Sequence, residues 1–288
     1  MQTLIEKENS TYNKISKPDF STKTGREFLA FYLQTKFKQI IAYDKKSETP
    51  IFIHIKPDFI SRFTRRIINN PDKRFLVGIC GESASGKTTI CNRIKHSTVK
   101  LNMPVEIISS DNYFNDISEL VRIHGSFDKL LESGYDVDSP NNFQLDLLKR
   151  DLENLSQGSD VKMPYYLHDG SGVVIPENIP AKAEKIIVVE GMASMYGDVR
   201  DIFDVKVYVD IDRSTQQKWF LERAVTRNQT QENALKQLEY VRRVAKDYIH
   251  PQKANADIII NGTSSLDYFE QILEYIHRIT NSFQTQEN

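Results

Sequence analysis

Residues 75–94 read FLVGICGESASGKTTICNRI, an apolar run that passes through a glycine-bracketed loop into a helical pattern. Within it Gly81-Glu82-Ser83-Ala84-Ser85-Gly86-Lys87-Thr88, followed by Thr89, meets every fixed position of G-x-x-x-x-G-K-[ST]. The order strand, tight turn, helix restricts the fold strongly, because it belongs where a core strand ends at a ligand crevice and a helix begins. The glycines let the backbone bend so that successive N–H groups point at phosphate oxygens. Lys87 can reach the β- and γ-phosphates as a mobile point charge, and the Thr88 hydroxyl can ligate Mg²⁺. The helix starting there adds its positive end to the anion site. The loop reads as a nucleoside-triphosphate site, with ATP and Mg²⁺ as its expected ligands.

Around this loop, β-rich runs alternate with helical patterns. Strands are expected at 75–80, 105–109, 185–190, 205–210 and 256–260, and helices at 86–98, 142–155, 214–226, 231–248 and 265–280. Continuous apolar strands separated by helices imply an α/β fold with a mostly parallel central sheet covered by helices on both faces. Ahead of it, residues 1–25 form a polar arm, 26–43 and 59–68 follow helical spacing, and IFIHI (51–55) reads as a short strand. The turn Asn69-Asn70-Pro71-Asp72 suggests a boundary, giving a helical N-terminal extension (1–72) and a main domain (73–288). The extension could pack on the sheet edge, support a dimer or bind a regulator. Its basic patch FTRRI (63–67) reads as a solvated face.

Composition narrows the function classes. A net charge of -1 with no Lys/Arg block provides no electrostatic footprint for nucleic acid. No apolar stretch approaches the length of a membrane span, and the first residues lack a signal-peptide core. Two cysteines do not make a disulfide framework, which suits a reducing, cytoplasmic setting.

Two acids follow apolar strands. In EIISSDNYF (106–114), Asp111 lies just past a strand end; if that strand neighbours the loop strand, Asp111 faces the γ-phosphate and can accept a hydroxyl proton. The alternative is a helix N-cap. In KIIVVEGM (185–192), Glu190 would lie across from Thr88 and hold the metal or its water, or simply cap a turn. Two weaker patterns read as loops: Asp169-Gly170-Ser171-Gly172, and 155–159, the latter a helix C-terminus ending at Gly158.

The succession GESASGKTT, SSDNYF, DSPNNF, P-x-Y-x-H (164–168), VVEGM, FDVKVYVDID and YIHPQKANADIII resembles the uridine kinase/phosphoribulokinase family of ATP-dependent small-molecule kinases, over about residues 74–282. The resemblance implies Asp111 as the base for an acceptor hydroxyl, and Asp138, Tyr166 and His168 around the acceptor. It also implies Glu190 in the Mg²⁺ site and a mobile lid at about 214–230 whose Arg223 and Arg227 reach the ATP phosphates. Bidentate capture of two vicinal hydroxyls by Asp138 agrees with this chemistry; apart from the resemblance, Tyr166 reads as core, His168 as a loop histidine and Arg223 with Arg227 as a solvated helix face.

The chain departs from the family in places. Trp219 and Phe220 stand where the family tends to place lid arginines, and Ser85 replaces the loop cysteine of plant phosphoribulokinases. Cys80 and Cys91 read as buried apolar residues. Between 115 and 136 the candidate readers of a substrate phosphate are Arg122 and His124. The expected activity is γ-phosphate transfer from ATP to a hydroxyl of a small metabolite, uridine or cytidine first. Same-fold rivals are phosphoribulokinase-like and pantothenate-type kinases; a nucleotide-binding regulator with little turnover is the rival from another class.

Overall fold

A computed structural model describes residues 22–70, 73–226, 229–264 and 270. Six strands form one sheet: β1 (Phe52–Ile55), β2 (Phe75–Gly81), β3 (Val105–Ser109), β6 (Ile186–Glu190), β7 (Val205–Asp210) and β8 (Ile258–Asn261). Their order is β3-β6-β2-β7-β8-β1, with every pair parallel except β1 on β8. Two more strands, β4 (Val161–Tyr166) and β5 (Val174–Ala181), make a separate antiparallel hairpin.

The apolar runs are continuous because both faces of the sheet are covered. Along β2, β6 and β7, neighbouring residues serve opposite cores. Leu76, Cys80, Ile187, Val189 and Tyr208 meet Leu148, Leu152 and Leu155 of helix Leu145–Gln157. Ile79, Val188, Val207 and Val209 meet the other side. That side is built by α1 (Lys23–Asp44), α2 (Phe59–Asn69) and α3 (Lys87–Lys100), through Leu33, Ile40, Phe59 and Ile90.

The extension is thus wired into the main sheet. Strand β1 registers Phe52 with Ile260 and Ile55 with Ile258. Buried Asp44 accepts the N–H groups of Ile51 and Phe52, each at 2.9 Å, which sets the turn into that strand. The expected solvated face of FTRRI is only half right. Arg65 is exposed, but Arg66 pairs with Asp204 at 2.6 Å with both side chains largely covered. Asp204 also accepts the Leu76 N–H at 3.1 Å, so this cation ties α2 to the start of β2.

Several elements were not foreseen. The β4–β5 hairpin is one; the DGSG segment is a loop as expected and makes its turn, where Asp169 Oδ1 accepts the Ser171 N–H at 2.9 Å. Two short helices, α4 (Ser118–His124) and α5 (Phe127–Glu132), fill the segment before Asp136. Helix α6 (Leu145–Gln157) ends at Gly158 with φ 100°, as expected. The helix expected over 231–248 is α-helical from Gln231 to Val244 and then widens into a π-turn, Ala245–Ile249. The helix expected at 265–280 falls, apart from Glu270, outside the described residues.

One strand relationship is corrected. β3 does not neighbour β2; β6 lies between them, with Glu190 in register with both Ile79 and Ser109. Asp111 therefore begins about 10 Å to the side of the loop strand, two inter-strand spacings away.

Candidate active site

The loop after β2 winds around the N-terminus of α3. Gly86 sits at φ 95°, in the left-handed region that favours glycine, and a Cβ there would come within 3.3 Å of the Gly262 carbonyl. Lys87 Nζ donates to the carbonyls of Gly81 and Glu82, both at 2.8 Å, so the ammonium is held at the mouth of the loop. The Ser85 hydroxyl is fully buried without a hydrogen-bond partner among the described residues. Thr88 Oγ1 donates to Glu190 Oε1 at 3.4 Å, the juxtaposition expected of a shared metal site.

Asp111 recovers the distance imposed by the strand order through a 3-10 turn, Ser110–Tyr113, that folds over the end of β6. Gly191 makes this passage feasible: a Cβ there would lie 3.0 Å from Asp111 Oδ1. Asp111 Oδ1 is buried with no hydrogen-bond partner among the described residues, and the side chain lines the same cavity as Lys87. The turn does not extend into a regular helix that Asp111 would cap.

That cavity, of about 640 Å³, is lined by Gly81, residues 83–89, Asp111, Asp138, Tyr166, His168, Glu190 and Arg223. These are the residues singled out in the sequence, with two exceptions. Arg227 lies outside the described residues. Glu82 turns its carboxylate away from the lining, to Gln216 Nε2 at 2.8 Å and His250 Nε2 at 2.6 Å. Arg223 Nη2 donates to Ser83 Oγ at 3.1 Å, from helix α7 (Arg213–Thr226). Arg122 and His124 do not line the cavity; Arg122 is exposed and paired with Glu119 at 2.5 Å.

Burial raises the carboxyl pKa values here, because a charged carboxylate loses its water. Asp111 is shifted up by burial, against the pull of Lys87, His168 and Arg223. Asp138 is pushed up to about 7 by burial and by the charges of Asp111 and Asp136. Glu190 rises through burial, opposed chiefly by Lys87. Tyr166 is both core and cavity wall: its ring lies 5.0 Å from Phe114 and 5.1 Å from His168, and its hydroxyl is pushed up to about 12. Asp138 is fixed by its own backbone, since Tyr196 OH donates to its carbonyl at 3.1 Å. Cys80 and Cys91 are buried free thiols, as expected.

Several residues that shape this cavity carried no local sign. Tyr240 and Val244 line it from helix α8 (Gln231–Val244), and Ala245 and Ile249 from the π-turn beyond. Arg242 Nε holds Gln216 Oε1 at 2.9 Å, which fixes the amide that grips Glu82. The YIHPQK string contained His250, yet nothing in its neighbourhood pointed to a partner in the phosphate loop.

Residues 76–268 match a family model described as Phosphoribulokinase / Uridine kinase family. The uridine kinase of Staphylococcus epidermidis is 35% identical over 188 residues, covering 64% of this chain and 86% of that protein. Uridine-cytidine kinase B of Dictyostelium discoideum is 30% identical over 206 residues, 70% of this chain and 81% of the relative. Uridine-cytidine kinase A of the same organism is 32% identical over 197 residues, where the match spans 67% of this chain but only 36% of the relative. Among solved structures, a candidate fructose transport system kinase from Silicibacter sp. TM1040 aligns with a TM-score of 0.52 over 65% of this chain and 90% of that one. At 18% identity that likeness concerns the fold alone.

Proposed function

The chain belongs to the phosphoribulokinase/uridine kinase family, and we propose that it transfers the γ-phosphate of ATP to a hydroxyl of a pyrimidine nucleoside, uridine or cytidine. The observation that carries the acceptor class is the distribution of charge in the cavity. Lys87 and Arg223 are the only Lys or Arg among its described lining residues, and both belong to the phosphate loop and its lid. The opposite end offers Asp111, Asp138 and the rings of Phe114, Phe127, Tyr166 and Tyr240. Two acids and a set of rings suit a flat, uncharged, hydroxylated molecule; a sugar phosphate would need cations there.

In this reading Lys87 and the amides of residues 81–89 hold the triphosphate, and the buried, unpartnered hydroxyl of Ser85 fits a loop built around a further acceptor of hydrogen bonds. Thr88 and Glu190 would hold Mg²⁺, which when bound neutralises charge on the transferring phosphate. Asp138 takes the acceptor's vicinal hydroxyls, while Tyr166 and His168 orient it. Asp111 accepts the proton of the attacking hydroxyl as its oxygen bonds to the γ-phosphorus and ADP departs. The raised pKa of Asp111 makes it a stronger base than a solvated aspartate, which helps general-base transfer near neutral pH. Arg223, with Arg227, closes over the transferring group.

The same reading treats 73–288 as the kinase unit with a lid at about 214–230, and 1–72 as an accessory extension. It places the protein in the cytoplasm; no described helix is long and apolar enough to cross a membrane. A coupled ADP-release assay across nucleosides, pentose phosphates and pantothenate tests it, with uridine or cytidine expected to give the highest kcat/KM. Turnover only with a phosphorylated acceptor overturns the acceptor class, and no turnover with any of them favours a nucleotide-binding regulator.

A further inference from the structure

The sheet order assigns a direction to the bound donor. Across the sheet from β3 to β8, Asp111 and Glu190 follow β3 and β6, the phosphate loop follows β2, and α7 and Gly262 follow β7 and β8. A triphosphate whose reacting end is drawn to Asp111 and Glu190 therefore points its nucleoside toward the β7–β8 side. There the cavity wall carries one large ring, the indole of Trp219. It is only half-buried, and its edge would meet a Cβ on Gly86 at 3.3 Å, the same distance as the Gly262 carbonyl. Gly262 itself is pressed on the loop so closely that a Cβ would collide with the Ser85 carbonyl. Trp219 thus flanks the start of α3 just where the phosphate cradle ends. The other rings of the wall sit at the acceptor end: Tyr166 packs on Phe114, and Tyr240 OH donates to the Tyr135 carbonyl at 3.4 Å.

We propose that Trp219 is the stacking platform for the donor's base and that it favours purines, an inference that rests on the kinase reading above. An indole face half-exposed to a cavity leaves apolar surface in water, and a base laid on it removes that surface from both. A bicyclic purine covers more of the indole than a single pyrimidine ring. Stacking is tolerant of which purine is present, so ATP and GTP should both be accepted.

Trp219 is the only tryptophan in the chain, so intrinsic fluorescence of the full-length protein reports it alone. Titration with ATP, GTP, UTP and inorganic tripolyphosphate, each with Mg²⁺, should quench emission with ATP and GTP at lower concentration than with UTP. Tripolyphosphate, which carries no base, should leave emission near its starting value. In calorimetry Trp219→Ala should weaken ATP binding on the order of tenfold and leave tripolyphosphate binding unchanged, while Trp219→Phe retains most of the ATP affinity. The proposal is overturned if ATP binds with no more quenching than tripolyphosphate, if UTP matches ATP, or if Trp219→Ala binds ATP as the parent does. Equal losses for ATP and tripolyphosphate would also overturn it, since they mean the ring only props the loop. Failure of the unmodified chain to bind ATP in calorimetry overturns the kinase reading itself.

Discussion

His250 Nε2 lies 2.6 Å from Glu82 Oε1, tying the phosphate loop to a turn that follows the lid. Glu82 is the one acid inside the loop, and an uncompensated carboxylate there would repel a triphosphate. Gln216 grips its other oxygen at 2.8 Å, so the charge is both occupied and turned away from the cavity lining.

Removing that tether should therefore weaken nucleotide binding more than it weakens folding. His250→Ala is expected to raise KM for ATP about tenfold, the scale of one lost hydrogen bond to a charged group. Adding Glu82→Gln should recover much of the loss, because the repelling charge is gone. Steady-state kinetics on the four members of the cycle measure the coupling; additive effects on KM would mean that the two side chains act independently, which overturns the tether.

Asp111→Asn should cut kcat by about 10²–10⁴ while ATP affinity in calorimetry is preserved. A variant with near-parental turnover removes the base role.

Lys87→Ala should behave differently, losing ATP affinity and turnover together, because its ammonium serves the phosphates in the bound state and during transfer alike. Parallel calorimetry and kinetics distinguish the two patterns.

Asp138 supplies a pH dependence. Its carboxyl, pushed up to about 7, is neutral below that value and charged above it. If the charged form holds the acceptor hydroxyls, KM for the nucleoside should fall as pH rises through about 7, and Asp138→Asn should flatten the profile. The stability sign is the opposite. Between the ordinary value of 3.8 and about 7 the folded state binds more protons than the unfolded one, so this residue's contribution is full below 3.8 and lost through about 7. Asp138→Asn should accordingly raise Tm more at pH 8 than at pH 5, as thermal melts in matched buffers would show.

Arg66→Ala tests how the extension is fastened. It strands Asp204, whose oxygens otherwise accept Arg66 Nε at 2.6 Å and Nη2 at 3.1 Å. Loss of a covered ion-pair partner should cost about 3 kcal/mol in urea denaturation, with KM for ATP nearly unchanged because the pair lies at the opposite end of β2 from the loop.

The phosphate loop, Thr88 opposite Glu190 and the two-faced parallel sheet were all legible, because each follows from local spacing or from runs too apolar to be exposed. The hairpin β4–β5 was not. Pro164, Pro176 and Pro180 interrupt the alternation that marks a strand, and the pairing is supplied by a partner rather than by either run alone. Helices α4 and α5 are too short to show a period. The π-turn after Val244 has the same apolar spacing as the helix before it, so only the backbone reveals where one ends.

Chemistry that depends on neighbours along the chain was determined by the sequence itself: a cradle for phosphate, a hydroxyl and a carboxylate for a cation, an acid after a strand. Which of those acids stands next to which strand was decided only in three dimensions. β3, β6 and β7 are each mostly apolar and could pair with β2 in more than one order, so local spacing does not choose among them. The folded chain places β6 between β3 and β2, and Asp111 reaches the loop because its turn crosses above Gly191. The Glu82–His250 contact and the position of Trp219 have the same origin, since each joins segments whose proximity is created by packing rather than by spacing.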